Sequence, residues 1–114
     1  MRSKIVIGCD QLGGSDWGNV CIKDSINAID YAVCNGFYKF DTSDVYGLGG
    51  SEARLSCLLN KHRSRVFLTS KVGVRWNYNS GEARAKTQID NSRKYLIKAI
   101  EMSLARLDKF DNLS

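Results

Sequence analysis

GFYKFDTSDVYGLGGSEARLS, residues 36–56, decides the fold. Gly36 is suited to stop a preceding helix. FYKFDTS then reads as a strand rich in aromatic residues, and VYGLGG as the loop that ends it. Ser51 can cap the helix that follows, SEARLSCLLNKH, in which Leu55, Leu58 and Leu59 form an apolar stripe. A strand, a short glycine-bearing loop and a helix make one βα unit. Asp41 closes the apolar run, and Tyr46 follows five positions later, so the unit carries polar chemistry where the strand ends.

The same alternation extends in both directions. Ile5-Val6-Ile7 is a short β-branched run ended by the glycine pair of LGGSDWGN. DSINAIDYAVCNG reads as a helix capped by Asp24, with Ile26, Ile29, Ala32 and Val33 on one face. Beyond the opening stretch, Arg65–Ser70 is a third strand, ending at Lys71. RWNYNSGEARAKTQID, residues 75–90, reads as a long polar loop. A third helix starts near Ser92, with Leu96, Ile100, Leu104 and Leu107 at helical spacing and Lys94, Lys98 and Glu101 facing outward. FDNLS, residues 110–114, looks like the opening of a fourth strand.

Strands alternating with helices predict a parallel α/β sheet. Nothing in residues 1–114 marks an internal domain boundary, and the chain contains no proline. A closed barrel takes eight strands and about 250 residues. The expectation is therefore the N-terminal part of a (β/α)8 TIM barrel, about three βα units plus the start of strand four. Parallel strands are made to be covered on both faces. The open sheet then needs the remainder of the barrel or a partner chain to cover it, and 114 residues alone are not expected to form a stable monomer.

Composition narrows the class. Apolar residues make up 43% and charged residues 25% of the chain, ordinary proportions for a globular protein. No apolar run approaches the ~18 residues that cross a bilayer. The opening MRSKIVIGCDQ lacks the apolar region of a signal peptide. These features predict a cytoplasmic protein with no membrane partner. Cys9, Cys21, Cys34 and Cys57 lie far apart with no C-x-x-C pair, so they read as buried reduced thiols rather than a metal or disulfide framework. The formal net charge of +5 is spread along the chain; it fits a solvated surface better than nucleic acid and would equally suit a phosphate-bearing cofactor, so charge alone decides nothing. Trp76 and Tyr78 beside Arg75 resemble a base-stacking surface only superficially. YGLGGS fits neither G-x-G-x-x-G nor a P-loop and reads as a turn.

In parallel βα folds, functional groups gather at the carboxyl ends of the strands. Asp41 ends the second strand, Tyr46 lies in its loop and Lys71 ends the third. Taken singly, they read as a turn cap, loop packing and a solvated strand end. Their convergence on one rim favours chemistry. A tyrosine hydroxyl is a reluctant acid at neutral pH, and a nearby ammonium favours the phenolate. Asp41 paired with Lys71 would keep that ammonium charged and directed. Together they would make Tyr46 a proton donor to an oxygen gaining negative charge, as when a carbonyl accepts hydride.

GFYKFDTSDVYGLGGSEARLS, with FLTSKVG and EMSLARLDKFDNL after it, resembles the aldo-keto reductases over essentially the whole chain. That family consists of (β/α)8 barrels that transfer hydride between NADP(H) and a carbonyl or alcohol. Its Asp-x-x-x-x-Tyr-Gly element matches Asp41, Tyr46 and Gly47, and its catalytic lysine matches Lys71. IGCDQLGG is similar to the family's first strand end, with Gly8-Cys9 in place of Gly-Thr. The resemblance implies that Tyr46 is the general acid/base, that Lys71 assists it and that Asp41 orients Lys71. It places Cys9, Asp10 and Asp41 beside the nicotinamide and its ribose, and Trp76 at the wall of a pocket for a small-molecule carbonyl substrate. The cofactor implied is NADP(H), or NAD(H), and no metal is expected. The family's fourth catalytic residue, a histidine at the end of strand four, has no counterpart before Ser114. His62, the one histidine, reads as a surface residue near the end of the second helix. The alternative is a truncated, non-catalytic, reductase-derived binding or interaction module.

Overall fold

The computed structural model describes residues 4–14, 17–77 and 85–107. Its centre is a parallel sheet of β1 (Ile7–Gly8), β2 (Lys39–Asp41) and β3 (Phe67–Thr69), in that order. Phe40 sits opposite Ile7 on one side and Leu68 on the other. Three helices, α1 (Ile22–Cys34), α2 (Gly50–Leu59) and α3 (Arg93–Arg106), join the strands into consecutive βα units. The alternation read from the sequence is therefore the observed architecture.

Period-two geometry sorts β2. Lys39 is exposed, Phe40 is buried and Asp41 is half-buried. Phe40 joins Val66 and Leu68 against Leu55 and Leu59 of α2 and Ile29 and Val33 of α1. Leu55 and Leu59 lose all exposure, and each contributes about 1.5–3 kcal/mol by leaving water. This core fixes β2 and β3 side by side, and with them the polar ends that follow.

Local boundaries differ from the sequence reading. β1 takes in only Ile7 and Gly8, leaving Ile5 and Val6 exposed. α1 begins at Ile22, so Asp24 lies in its first turn instead of at the cap, where it still complements the helix dipole. α2 begins at Gly50 after Gly49, and Ser51 caps nothing; its hydroxyl serves the strand ends. In α3, Ser92 does cap, accepting from the Tyr95 amide. Of the apolar stripe read along α3, Leu107 is buried as expected, but Ile100 and Leu104 are 47% and 48% exposed, whereas the small Ala99 and Ser103 are buried. Small side chains line the side that approaches α2. FDNLS lies outside the described residues.

The largest correction concerns residues 75–90, read as loop. They include most of an antiparallel hairpin, β4 (Val74–Asn77) and β5 (Lys86–Ile89), with Val74 opposite Ile89 and Asn77 opposite Lys86. All four residues of β5 are exposed. A ribbon with no buried apolar face leaves little hydrophobic signature to read. The cysteines also differ from expectation. All four are free thiols, but only Cys9 is buried; Cys21, Cys34 and Cys57 are exposed.

Candidate active site at the strand ends

Backbone geometry assembles the rim. The Thr42 amide donates to the Thr69 carbonyl at 2.8 Å, and the Cys9 amide to the Asp41 carbonyl at 2.9 Å. Ser51 Oγ donates to the Cys9 carbonyl at 2.8 Å and stands 2.8 Å from Thr42 Oγ1. A serine hydroxyl has one proton, so Thr42 donates to Ser51. The loops after β1 and β2 touch backbone to backbone: a Cβ on Gly13 would lie 2.5 Å from the Gly47 nitrogen. Gly47, Leu48 and Gly49 then turn the chain with φ of 59°, 53° and 92°, a left-handed path that costs Leu48 about 1–2 kcal/mol.

On this frame stand the three predicted polar groups. Lys71 Nζ donates to Asp41 Oδ2 at 2.6 Å. The same ammonium lies 5.3 Å from the centroid of the Tyr46 ring, within cation–π range. The Lys71 carbonyl accepts the Asp44 amide at 3.1 Å and Ser43 Oγ at 3.2 Å. The Tyr46 amide donates to Ser43, and its carbonyl accepts the Ser51 amide. Asp41, Tyr46 and Lys71 are thus brought together. The side chains of Lys71 and Asp41 are 48% and 35% exposed, so the trio faces an accessible space.

The remaining candidates divide. Cys9 lies on the rim, buried beneath Asp41, and burial first, then the Asp41 charge, outweigh an Asp41 backbone contact to push its thiol up to about 12. Cys9 is therefore a neutral, inert group. Asp10 Oδ2 accepts from Trp17 Nε1 at 2.7 Å, while Oδ1 is buried without a partner among the described residues. Trp76 is on β4, where it lines a cleft of about 480 Å³ with Arg75, Tyr95, Lys98 and Met102; none of Asp41, Tyr46 or Lys71 lines that cleft. His62 stands in the turn after α2, its Nδ1 3.2 Å from an Arg65 guanidinium nitrogen. No group of three or more potential metal ligands occurs among the described residues, and no helix among them is long and apolar enough to cross a membrane.

The aldo/keto reductase family matches the chain over residues 4–113. The chain belongs to that family. It is 32% identical over 101 residues to the aldo-keto reductase YhdN of Bacillus subtilis, covering 82% of this chain and 30% of that protein. Versiconal hemiacetal acetate reductase of Aspergillus parasiticus is 27% identical over 124 residues, covering 95% of this chain and 36% of the relative. Among solved structures, the glycerol dehydrogenase of Gluconobacter oxydans superposes with a TM-score of 0.80 at 27% identity, over 94% of this chain and 32% of that one. A Klebsiella pneumoniae aldo-keto reductase solved with NADPH shares the fold at 22% identity and a TM-score of 0.65, over 94% and 32% of the two chains. The chain spans about a third of the length of these relatives.

This aldo-keto reductase chain also holds a buried polar cluster that sequence reasoning passed over. Glu52, fully buried on α2, accepts from Arg106 of α3 at 2.6 Å and from Ser70 at 2.5 Å. Asp44 is buried beside them, and burial, reinforced by repulsion from Glu52, pushes its carboxyl up to about 6. A signal was present: Glu52, Leu55 and Leu59 share one helical stripe, as do Ala99, Ser103 and Arg106. A charge in register with an apolar stripe implies a buried partner.

Proposed function

We propose that the rim belongs to an NADP(H)-dependent oxidoreductase, able in principle to use NAD(H), that reduces a small aldehyde, ketone or sugar carbonyl to the alcohol. The observation that carries this reading is the single ammonium of Lys71, held 2.6 Å from Asp41 and 5.3 Å over the Tyr46 ring. One group on the chain supports a nucleotide there: the buried Oδ1 of Asp10, without a partner among the described residues, is an acceptor suited to a ribose hydroxyl. Cys9, Asp10 and Asp41 would lie beside the nicotinamide and its ribose, the buried Cys9 as packing and the two carboxylates as the polar contacts. The bound cofactor supplies the hydride that adds to the carbonyl carbon.

The chain's own residues handle the proton. Tyr46 donates its phenolic proton to the carbonyl oxygen as that oxygen gains charge, and keeps the electron pair of its O–H bond as a phenolate. The Lys71 ammonium over the ring favours that anion, and Asp41 fixes the ammonium's direction. In the reverse direction the phenolate accepts the alcohol proton. With the complete reading frame that carries these residues, Tyr46→Phe is expected to abolish NADPH oxidation with 4-nitrobenzaldehyde or glyceraldehyde while NADPH fluorescence titration still shows binding. Full turnover by Tyr46→Phe would overturn the assignment.

A further inference from the structure

The buried cluster behind the rim is aimed at Lys71. Both oxygens of the Glu52 carboxylate are used, Oε2 by Arg106 and Oε1 by Ser70 Oγ. Ser70 immediately precedes Lys71, and the two side chains leave in different directions: Ser70 toward α2, Lys71 toward Asp41. On the other side, the Lys71 carbonyl is held by the Asp44 amide and Ser43 Oγ. The peptide that carries the lysine is therefore clamped before and after its Cα. A lysine has four rotatable side-chain bonds and little directional preference of its own, so a fixed root narrows where its ammonium can reach.

Stability alone is a poor account of this cluster. A buried ion pair seldom outperforms well-packed apolar residues, and a leucine at position 52 would simply extend the Leu55 and Leu59 stripe. We infer that Glu52, held by Arg106 and acting through the Ser70 hydroxyl, is a positioning residue that fixes the strand end carrying Lys71. This rests on the reading of Lys71 as the lysine that assists Tyr46.

The test is Ser70→Ala in the complete protein, which cuts the link to the strand but leaves the Glu52–Arg106 pair. Turnover (kcat) is expected to fall between about tenfold and a hundredfold, the cost of a small misplacement of a reacting group. KM for NADPH should stay within about twofold of wild type, Tm within a few degrees, and the basic limb of the kcat–pH profile should shift. Ser70→Thr, which keeps the hydroxyl, should restore both rate and profile. Ser70→Cys, closer in volume and a much weaker donor, replaces Ser70→Ala if that variant does not fold, with the same fall expected. A wild-type kcat and pH profile in the variant lacking the hydroxyl overturns the positioning role, as does failure of Ser70→Thr to restore them. Tyr46→Phe run in parallel separates the two readings. An inactive Tyr46→Phe beside an unaffected Ser70 variant removes the positioning role alone, and an active Tyr46→Phe removes the reductase reading itself.

Discussion

The strand-end rim and the β4–β5 hairpin are both rich in polar side chains, yet they are built on opposite terms. At the rim and directly behind it, Thr42, Ser43, Asp44, Ser51 and Glu52 are all buried, and each has a hydrogen-bonded or charged neighbour. In the hairpin, Arg75 pairs with Asp90 at 3.4 Å and with Gln88 at 3.2 Å, in contact with water. Polar groups removed from water must find their partners in the fold, so they fix backbone positions; polar groups left in water fix very little. The difference marks where this chain invests in geometry.

Thiol chemistry offers the widest expected contrast. Cys9, under the rim, is buried with its thiol raised to about 12, while Cys21, Cys34 and Cys57 are exposed. Native-state alkylation followed by peptide mass mapping should label the three exposed cysteines at least a hundredfold faster than Cys9. Equal labelling of Cys9 would mean that the rim is not closed from below.

Removing one member of the buried cluster should be the next largest effect. Glu52→Ala leaves Arg106 without its carboxylate and Ser70 without its acceptor. A loss of about 3–5 kcal/mol is expected in denaturant unfolding. Arg75→Ala, in the hairpin, should shift Tm by less than about 3 °C. Similar losses for the two would erase the distinction between the regions.

A smaller, pH-dependent effect sharpens it. The folded protein holds the Asp44 proton up to about pH 6, against an ordinary value of 3.8. The stability linked to that proton is fully present below the ordinary value and is lost as pH rises through about 6. Asp44→Asn should therefore raise Tm relative to wild type at pH 7–8, with the advantage fading toward pH 4. A constant difference across that range would show that Asp44 carries no such penalty.

The contrast also explains what was readable in the sequence. The strands around Phe40 and Leu68 and the stripes of Ile29–Val33 and Leu55–Leu59 announce themselves, because burying apolar area imposes periodicity on the chain. Asp41, Tyr46 and Lys71 were found because parallel βα topology sends strand ends to one rim. The hairpin was missed since its exposed residues obey no burial constraint. Within the α3 stripe Leu107 is buried but Ile100 and Leu104 are not, because residue size does not reveal which face a neighbour will approach; Ala99 and Ser103 face inward, where close contact suits small side chains. Glu52 gives no signal by residue type, since a lone carboxylate usually stays in water, but its position on the leucine stripe argues for burial. Trp76, which the family resemblance places at a pocket wall, lines a cleft that Asp41, Tyr46 and Lys71 do not line.

The central claim, that Asp41 and Lys71 act through one another on Tyr46, has a direct measurement. It is kcat at saturating NADPH for Asp41→Asn, Lys71→Met and the double variant of the complete protein. If Asp41 works by directing Lys71, the double variant turns over within about twofold of Lys71→Met alone, because the second change removes nothing further. If the two losses multiply, the residues act independently, and the rim is not the unit that its geometry describes.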